Sequence, residues 1–356
     1  MRGNFRFWLL AFYSVLLLSF ANLDGLVRPY FSNAPFGGLL YPLLFLSIGF
    51  FILLQSVQIL VKALVELSRI FGISEFTTSF LVIGIAAILP EFSISLNAAI
   101  DGNPSFALGL LMGSNVTDLT LILGAVAIFA SSVKFTSTLI TRNFTYYLML
   151  LSLPVLLMLD GEYSRLDGLV LLVAFALYAW QISTSRKSTK DVFGEVGQHK
   201  LKVATQFLVI LLSLFVLFSS ANIVSDNAIS LASILRLPAI FLGVLIAAAT
   251  CLPELTFSLE AIRAGRKGLG LGDILGNVAT DATFTLGLIA FFFPFRIPQL
   301  PIALLTGFSM VVVGFMALQF IRTGRQLDRK EGLMLLLVYF AFIIAQFALE
   351  SSLALP

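Results

Sequence analysis

Four acidic residues stand in otherwise apolar stretches, and their spacing is the most informative chemical feature of this 356-residue sequence. Glu91 is followed 27 residues later by Asp118, and Glu254 is followed 27 residues later by Asp281. A carboxylate in an apolar environment is costly unless a cation or a water-filled cavity compensates its charge. The recurring pair therefore indicates a cation site built from two copies of one segment.

Neutral oxygens accompany the four carboxylates. Ser114 and Asn277 each lie about one helical turn before an aspartate, and a proline stands directly before each glutamate. Because proline removes a helix hydrogen bond, it frees a backbone carbonyl one turn earlier, around Ala87 and Thr250. Hard cations such as Ca²⁺ bind six to eight oxygens of these kinds. We therefore predict a metal site made of the carboxylates together with Ser114, Asn277, Thr250 and Ala87.

The segment that carries each acidic pair is an internal repeat. Residues 81–124 align without gaps on residues 244–287, with 17 identities in 44 positions. The loop DGNPS in the first copy has no basic residue, whereas the equivalent loop RAGRKG has three. Basic loops face the cytoplasm, so the two copies have opposite orientations in a membrane. Inverted repeats of this kind are typical of secondary transporters, with the ion site near the midplane between the copies.

The composition requires a membrane. Only 22 Lys and Arg and 19 Asp and Glu occur, hydrophobic residues make up 59%, and the mean hydropathy is +1.01. One cysteine and one histidine exclude a disulfide scaffold and a histidine-rich metal site. Uniform apolar runs favour helices over a barrel and predict an all-α polytopic membrane protein. The predicted helices cover 7–22, 38–63, 79–100, 106–130, 144–160, 166–184, 204–225, 240–262, 271–293, 299–320 and 331–350.

The positions of the basic residues predict the topology. A cytoplasmic N-terminus places 18 of the 22 Lys and Arg residues inside, as the positive-inside rule requires. We predict a multi-pass protein of the cell membrane in which residues 185–203 form a basic cytoplasmic linker. The linker separates a first five-helix repeat, 38–184, from a second, 204–356. Residues 1–37 form a hydrophobic segment and an external loop, and the helix at 7–22 is either retained or cleaved as a signal peptide.

The motifs of the two copies resemble those of the calcium/cation antiporter superfamily, and specifically the membrane region of the sodium/calcium exchangers. The first copy reads AAILPE and GLLMGSNVTD, and the second reads ATCLPE and GDILGNVATD. The segments DGEYSRLDGLVLL and GRQLDRKEGLMLL, at 160–172 and 324–336, extend the resemblance to the later helices. The resemblance implies a ten-helix core of two inverted repeats that exchanges Ca²⁺ for Na⁺ or H⁺ by alternating access. In the family pattern Glu91 and Glu254 are central ligands, with Asp118 and Asp281 beside them.

The sequence departs from the family pattern at several oxygen donors. Where the family has Thr-Ser before LPE, the first copy has Ala87 and Ile88, and the second has Thr250 and Cys251. Asn277 also replaces a serine. Fewer hydroxyls beside four carboxylates weaken the case for several Na⁺ sites and strengthen the case for protons, which clustered acids can share. The counter-ion stays open at this stage.

Three alternatives to a Ca²⁺ exchanger each agree with part of the sequence. A passive cation channel and an antiporter for another divalent cation would each need the same carboxylates. The sequence GLGD at 270–273 is similar to a motif of intramembrane aspartyl proteases, but that interpretation leaves the inverted repeat unexplained. We predict a transporter, not an enzyme, with no cofactor and no nucleic-acid partner; its partners are the lipid bilayer and the transported cations, and its oligomeric state is open.

Overall fold

The described part of the chain is almost entirely helical. The computed structural model describes residues 13, 37–70, 88–129, 132–134, 144–185, 200–263, 267–324 and 326–354. The helices within these ranges are α1 Gly37–Ile70, α2 Leu89–Ile100, α3 Pro104–Thr117, α4 Leu123–Phe129, α5 Phe144–Leu157, α6 Arg165–Ser185, α7 Lys200–Leu235, α8 Ala239–Thr250, α9 Leu252–Arg263, α10 Lys267–Thr280, α11 Leu286–Phe292, α12 Leu300–Gly324 and α13 Arg329–Ala354. A 3₁₀ turn at Met158–Asp160 follows α5.

The all-helical membrane fold predicted from the sequence is confirmed. Among the described residues, seven helical segments are long and apolar enough to cross a membrane. The helix predicted at 240–262 is divided at Cys251 into α8 and α9, and the helix predicted at 204–225 continues to Leu235. The predicted helix at 7–22 falls outside the described residues except for Tyr13. That the core contains ten helices stays a prediction.

Within the described ranges, four short strands that the apolar pattern does not predict lie between helices. They are β1 Ser132–Lys134, β2 Glu162–Tyr163, β3 Phe295–Arg296 and β4 Gln326–Asp328. β1 pairs with β4 and β2 pairs with β3, both antiparallel. Paired strands must lie on the same side of a membrane. Both pairings agree with the charge-based topology, which places Lys134 and Arg329 on one side and Arg165 and Arg296 on the other.

A hydrogen bond from Tyr163 connects β2 to the preceding helix, α5. Its side chain is buried, and its hydroxyl donates a hydrogen bond of 2.8 Å to the carbonyl of Pro154. Burial, reinforced by the nearby Asp167 and Asp160, raises the pKa of this phenol well above its ordinary value of 10. The hydroxyl therefore stays protonated and remains a hydrogen-bond donor.

The described chain divides into two compact units, and each takes segments from both sequence halves. The first unit comprises residues 1–97 and 187–236. Within it α1 packs along α7, and its buried apolar cluster includes Ile52, Ile59 and Val216. Asn97 donates a hydrogen bond of 3.3 Å to the carbonyl of Phe218 and so ties α2 to α7.

The second unit comprises residues 98–186 and 237–356. Helices of the two repeats pack against each other within it. The last helix of each half packs on the other half: α6 on α11, and α13 on α4. Glycines permit both crossings, as expected for small residues at helix interfaces in lipid. A Cβ atom built on Gly124 would lie 2.7 Å from the carbonyl oxygen of Gly332, and one on Gly168 would lie 2.4 Å from the amide nitrogen of Phe291. A larger residue at either position would therefore clash with the backbone of the partner helix.

Candidate cation site

Both glutamates lie in the first turn of a helix. α9 begins at Leu252 after the interruption at Cys251, and α2 begins at Leu89 after a turn at the equivalent Ile88. The proline before each glutamate has no amide hydrogen, which accounts for an interruption at this point. A carboxylate in the first turn also lies at the positive end of the helix dipole. The start of each helix therefore provides a favourable position for a buried negative charge.

Both aspartates begin a π-helical turn. The turns cover Asp118–Ile122 and Asp281–Thr285, again 163 residues apart. The amides of Leu123 and Leu286 donate to the carbonyls of these aspartates, five residues earlier. A π turn takes an extra residue into the helix and frequently occurs at functional sites. The structure thus reproduces the sequence repeat as a local distortion centred on each carboxylate.

The four acidic side chains are almost completely buried, with exposed fractions of 2% for Glu91, Asp118 and Asp281 and 4% for Glu254. Buried charges require compensation by hydrogen bonds or by ions. Ser114, Thr250 and Asn277 are equally buried. Burial of this extent is the property that the predicted site residues share.

Ser114 contacts two of the segments that the sequence predicts to form the site, the π turn at Asp281 and the interruption at Cys251. Its hydroxyl Oγ lies 3.4 Å from Oδ2 of Asp281 and 2.9 Å from the carbonyl oxygen of Leu111. Its carbonyl oxygen lies 3.8 Å from the thiol of Cys251, the residue at the break before Glu254. One serine on α3 is therefore in contact with the π turn of the second repeat and with the break between α8 and α9.

Most hydroxyls around the site donate to their own helix. Thr117 and Thr280 donate to the carbonyls of Gly113 and Gly276, at 2.8 and 2.7 Å. Thr250 donates to the carbonyl of Ala247 at 3.0 Å. Such bonds leave the hydroxyl oxygen of each threonine able to accept a further contact, but they fix the orientation of the side chain.

The predicted site residues are divided between the two compact units. Glu91 belongs to the first unit and Asp118, Glu254 and Asp281 to the second, and Ala87 lies outside the described residues. Within the ranges that the structure describes, no three Asp, Glu, His or Cys side chains converge as a metal-binding group. A cation in the second unit would therefore need hydroxyl, amide or backbone oxygens beside the carboxylates, as hard cations accept.

Three residues near the site were not singled out by the sequence. Thr285 donates a hydrogen bond of 3.0 Å to Oδ1 of Asp281. Tyr147 donates to the carbonyl of Leu275 at 2.8 Å, and the Tyr339 side chain lies close to that of Thr117. The two tyrosines give no sequence signal because their partners lie on distant segments. Thr285 does, since its position in the first repeat is occupied by the apolar Ile122.

Comparison with known proteins gives a consistent result. The sequence profile of the family described as sodium/calcium exchanger protein matches residues 41–183 and 205–348. The sodium/calcium exchanger MaX1 of Methanosarcina acetivorans is 24% identical over 346 residues, covering 85% of this chain and 98% of MaX1.

Two solved structures share the fold. The crystal structure of the H⁺/Ca²⁺ exchanger CAX superposes with a TM-score of 0.72 at 16% identity, covering 98% of this chain and 94% of CAX. The sodium-calcium exchanger NCX_Mj, in a crystal soaked with Na⁺ and Sr²⁺, gives a TM-score of 0.58 at 23% identity over 86% of this chain and 98% of NCX_Mj. These similarities support a transporter and rule out the protease interpretation of the GLGD sequence. With its repeated acidic segments, the matching π turns at Asp118 and Asp281 and a profile match over most of its length, the chain belongs to the sodium/calcium exchanger protein family of membrane transporters.

Proposed function

We propose that the protein is a secondary active antiporter that exchanges Ca²⁺ for Na⁺ or H⁺ by alternating access. Glu91, Glu254, Asp118 and Asp281 bind the transported cation. The observation that carries this proposal is the repetition of two local features, a buried glutamate in the first turn of a helix and a π turn that begins at each aspartate. A structural duplication alone does not require four carboxylates to be buried at those positions.

The donor set fits a hard cation. Carboxylates, the Ser114 hydroxyl, the Asn277 amide and backbone carbonyls near Thr250 and Ala87 are all oxygen donors of the kind that Ca²⁺ prefers. Soft metals favour sulfur and imidazole ligands. The lone thiol of Cys251 lies against a backbone carbonyl instead. The site therefore favours Ca²⁺ or a related divalent cation over Zn²⁺ or Cu⁺.

The counter-ion follows from the balance between acids and hydroxyls. Three of the four hydroxyls that the family pattern places before the glutamates are replaced by Ala87, Ile88 and Cys251. Neutral oxygens suit Na⁺, whereas closely placed acids also bind protons. CAX is named an H⁺/Ca²⁺ exchanger and MaX1 a sodium/calcium exchanger, so relatives of both kinds exist. The donor set of this chain favours H⁺.

Uptake of radioactive Ca²⁺ into proteoliposomes tests the counter-ion directly. We expect acid-loaded vesicles diluted into alkaline medium without Na⁺ to accumulate Ca²⁺, because outward proton flow drives inward Ca²⁺ movement. Vesicles clamped at zero potential with no ion gradient should show no accumulation. Uptake that occurs only with an outward Na⁺ gradient would reject the proton. Uptake that follows membrane potential alone, without any counter-ion gradient, would instead indicate a channel.

A further inference from the structure

The two aspartates of the repeat are not equivalent, because only the second has a hydroxyl one turn later. Thr285 lies four residues after Asp281 at the end of the π turn, is fully buried, and donates to Oδ1 of Asp281 at 3.0 Å. The equivalent position in the first repeat is Ile122, which has no donor. Because the two segments otherwise match, this difference indicates that the two aspartates have different roles.

The hydrogen bond of Thr285 is unusual among the threonines of this region. Thr117, Thr280 and Thr283 each donate to the backbone carbonyl four residues earlier, which is the common arrangement within helices. For Thr285 that carbonyl belongs to Asp281 and already accepts from the amide of Leu286, as the π turn requires. The hydroxyl of Thr285 turns to the carboxylate instead.

The second carboxylate oxygen of Asp281 lies beside Ser114. Oδ2 of Asp281 lies 3.4 Å from Oγ of Ser114. The serine has one proton, and its closer acceptor is the carbonyl of Leu111 at 2.9 Å. With the proton directed there, Oγ of Ser114 and Oδ2 of Asp281 are two neighbouring acceptor oxygens. Such a pair is suited to bind one cation between them.

The geometry points to Thr285 as a positioning residue that holds the Asp281 carboxylate so that Oδ2 and Ser114 Oγ bind the same transported cation. This inference rests on the proposed cation transport and deepens it. Thr285 acts through Asp281 and does not itself bind the ion. The first-repeat aspartate, with Ile122 at the equivalent position, lacks this constraint from its own helix.

Two substitutions of Thr285 distinguish the effect of its hydroxyl from the effect of its side-chain volume. Thr285→Val removes the donor and keeps the volume, whereas Thr285→Ser keeps the donor. We expect Thr285→Val to raise the Ca²⁺ concentration for half-maximal uptake by about tenfold, the effect of losing a hydrogen bond to a charged group. The maximal rate should change by less than about twofold because the other ligands remain. Thr285→Ser should restore an affinity within about twofold of the unaltered protein.

Thr283→Val is the matched control. Thr283 is buried in the same π turn, but its hydroxyl donates to the carbonyl of Ala279. We expect this variant to keep the Ca²⁺ affinity of the unaltered protein. Equal affinities for Thr285→Val and the unaltered protein would overturn the inference, as would a Thr285→Ser variant that behaves like Thr285→Val. An unaltered protein that moves no Ca²⁺ under any gradient would instead overturn the proposed function, and the inference with it.

Discussion

Replacement of Glu254 by glutamine should reduce gradient-driven Ca²⁺ uptake to the level of protein-free vesicles while the protein remains folded. Glu254 is 4% exposed in the first turn of α9. Glutamine preserves its size and one acceptor oxygen but removes the charge that a divalent cation requires. Because a buried charge also carries a desolvation penalty, we expect the thermal unfolding midpoint to be unchanged or higher. The combination of lost transport and retained stability distinguishes a ligand from a structural residue.

The same result is expected for Glu91→Gln, since Glu91 stands at the equivalent position in the other repeat. Glu162→Gln provides a matched control. Glu162 is an exposed residue of β2 whose ion pair with Arg296 is 3.5 Å long and open to solvent. Exposed ion pairs contribute little to stability, so this variant should transport normally. Near-normal uptake by both Glu91→Gln and Glu254→Gln would show that the carboxylates are not the ion site.

Substitution of Gly109 by alanine should prevent normal packing of the second unit. A Cβ atom at this position would lie 2.1 Å from the backbone carbonyl oxygen of Ile240, and one at Gly243 would lie 2.5 Å from the carbonyl oxygen of Phe106. α3 and α8 therefore cross with their backbones in direct contact. A backbone cannot move aside as a flexible side chain can. We therefore expect the free energy of unfolding to fall by about 3 kcal/mol, at the upper end of overpacking effects. Thermal unfolding in detergent should show a midpoint several degrees lower.

Gly307→Ala is the control for this packing argument. Its added Cβ would meet the terminal methyl group of Met158, at 2.5 Å, and a flexible methionine can move away. We expect Gly307→Ala to unfold close to the temperature of the unaltered protein. Equal midpoints for Gly109→Ala and the unaltered protein would contradict the close crossing of α3 and α8.

The sequence predicts the repeated features of this fold well because a repeat constrains both copies. The proline before each glutamate predicts a lost helix hydrogen bond, but the helix predicted at 240–262 runs through the interruption that the structure shows at Cys251. The π turns begin at the two repeated aspartates. The π turns themselves are not predictable, since the hydrogen-bond shift from four to five residues leaves the apolar pattern of α3 and α10 unchanged. The extension of α7 to Leu235 was missed because a membrane span ends where charges begin, whereas a helix can continue through Asp226.

The assignment of the four acidic residues as ion ligands stays a prediction, and only part of their surroundings could be predicted from the sequence. Ser114 was identified as an oxygen donor, and the structure places it against Asp281. Thr285 was missed because the comparison of the repeats emphasised identical residues, and this threonine differs from its counterpart Ile122. A polar residue one turn from a repeated carboxylate, present in one copy alone, is the signal that would have found it. The tyrosines at 147 and 339 depend on contacts between distant helices and leave no such signal.

Counterflow measures alternating access most directly. Proteoliposomes are loaded with a high concentration of unlabelled Ca²⁺ and diluted, with the membrane potential held at zero, into medium that contains a trace of radioactive Ca²⁺. If the protein carries cations by alternating exposure of one site, the label should accumulate transiently above its external concentration, and Glu254→Gln should abolish the overshoot. Label that only equilibrates, with no overshoot in the unaltered protein, would contradict an exchanger.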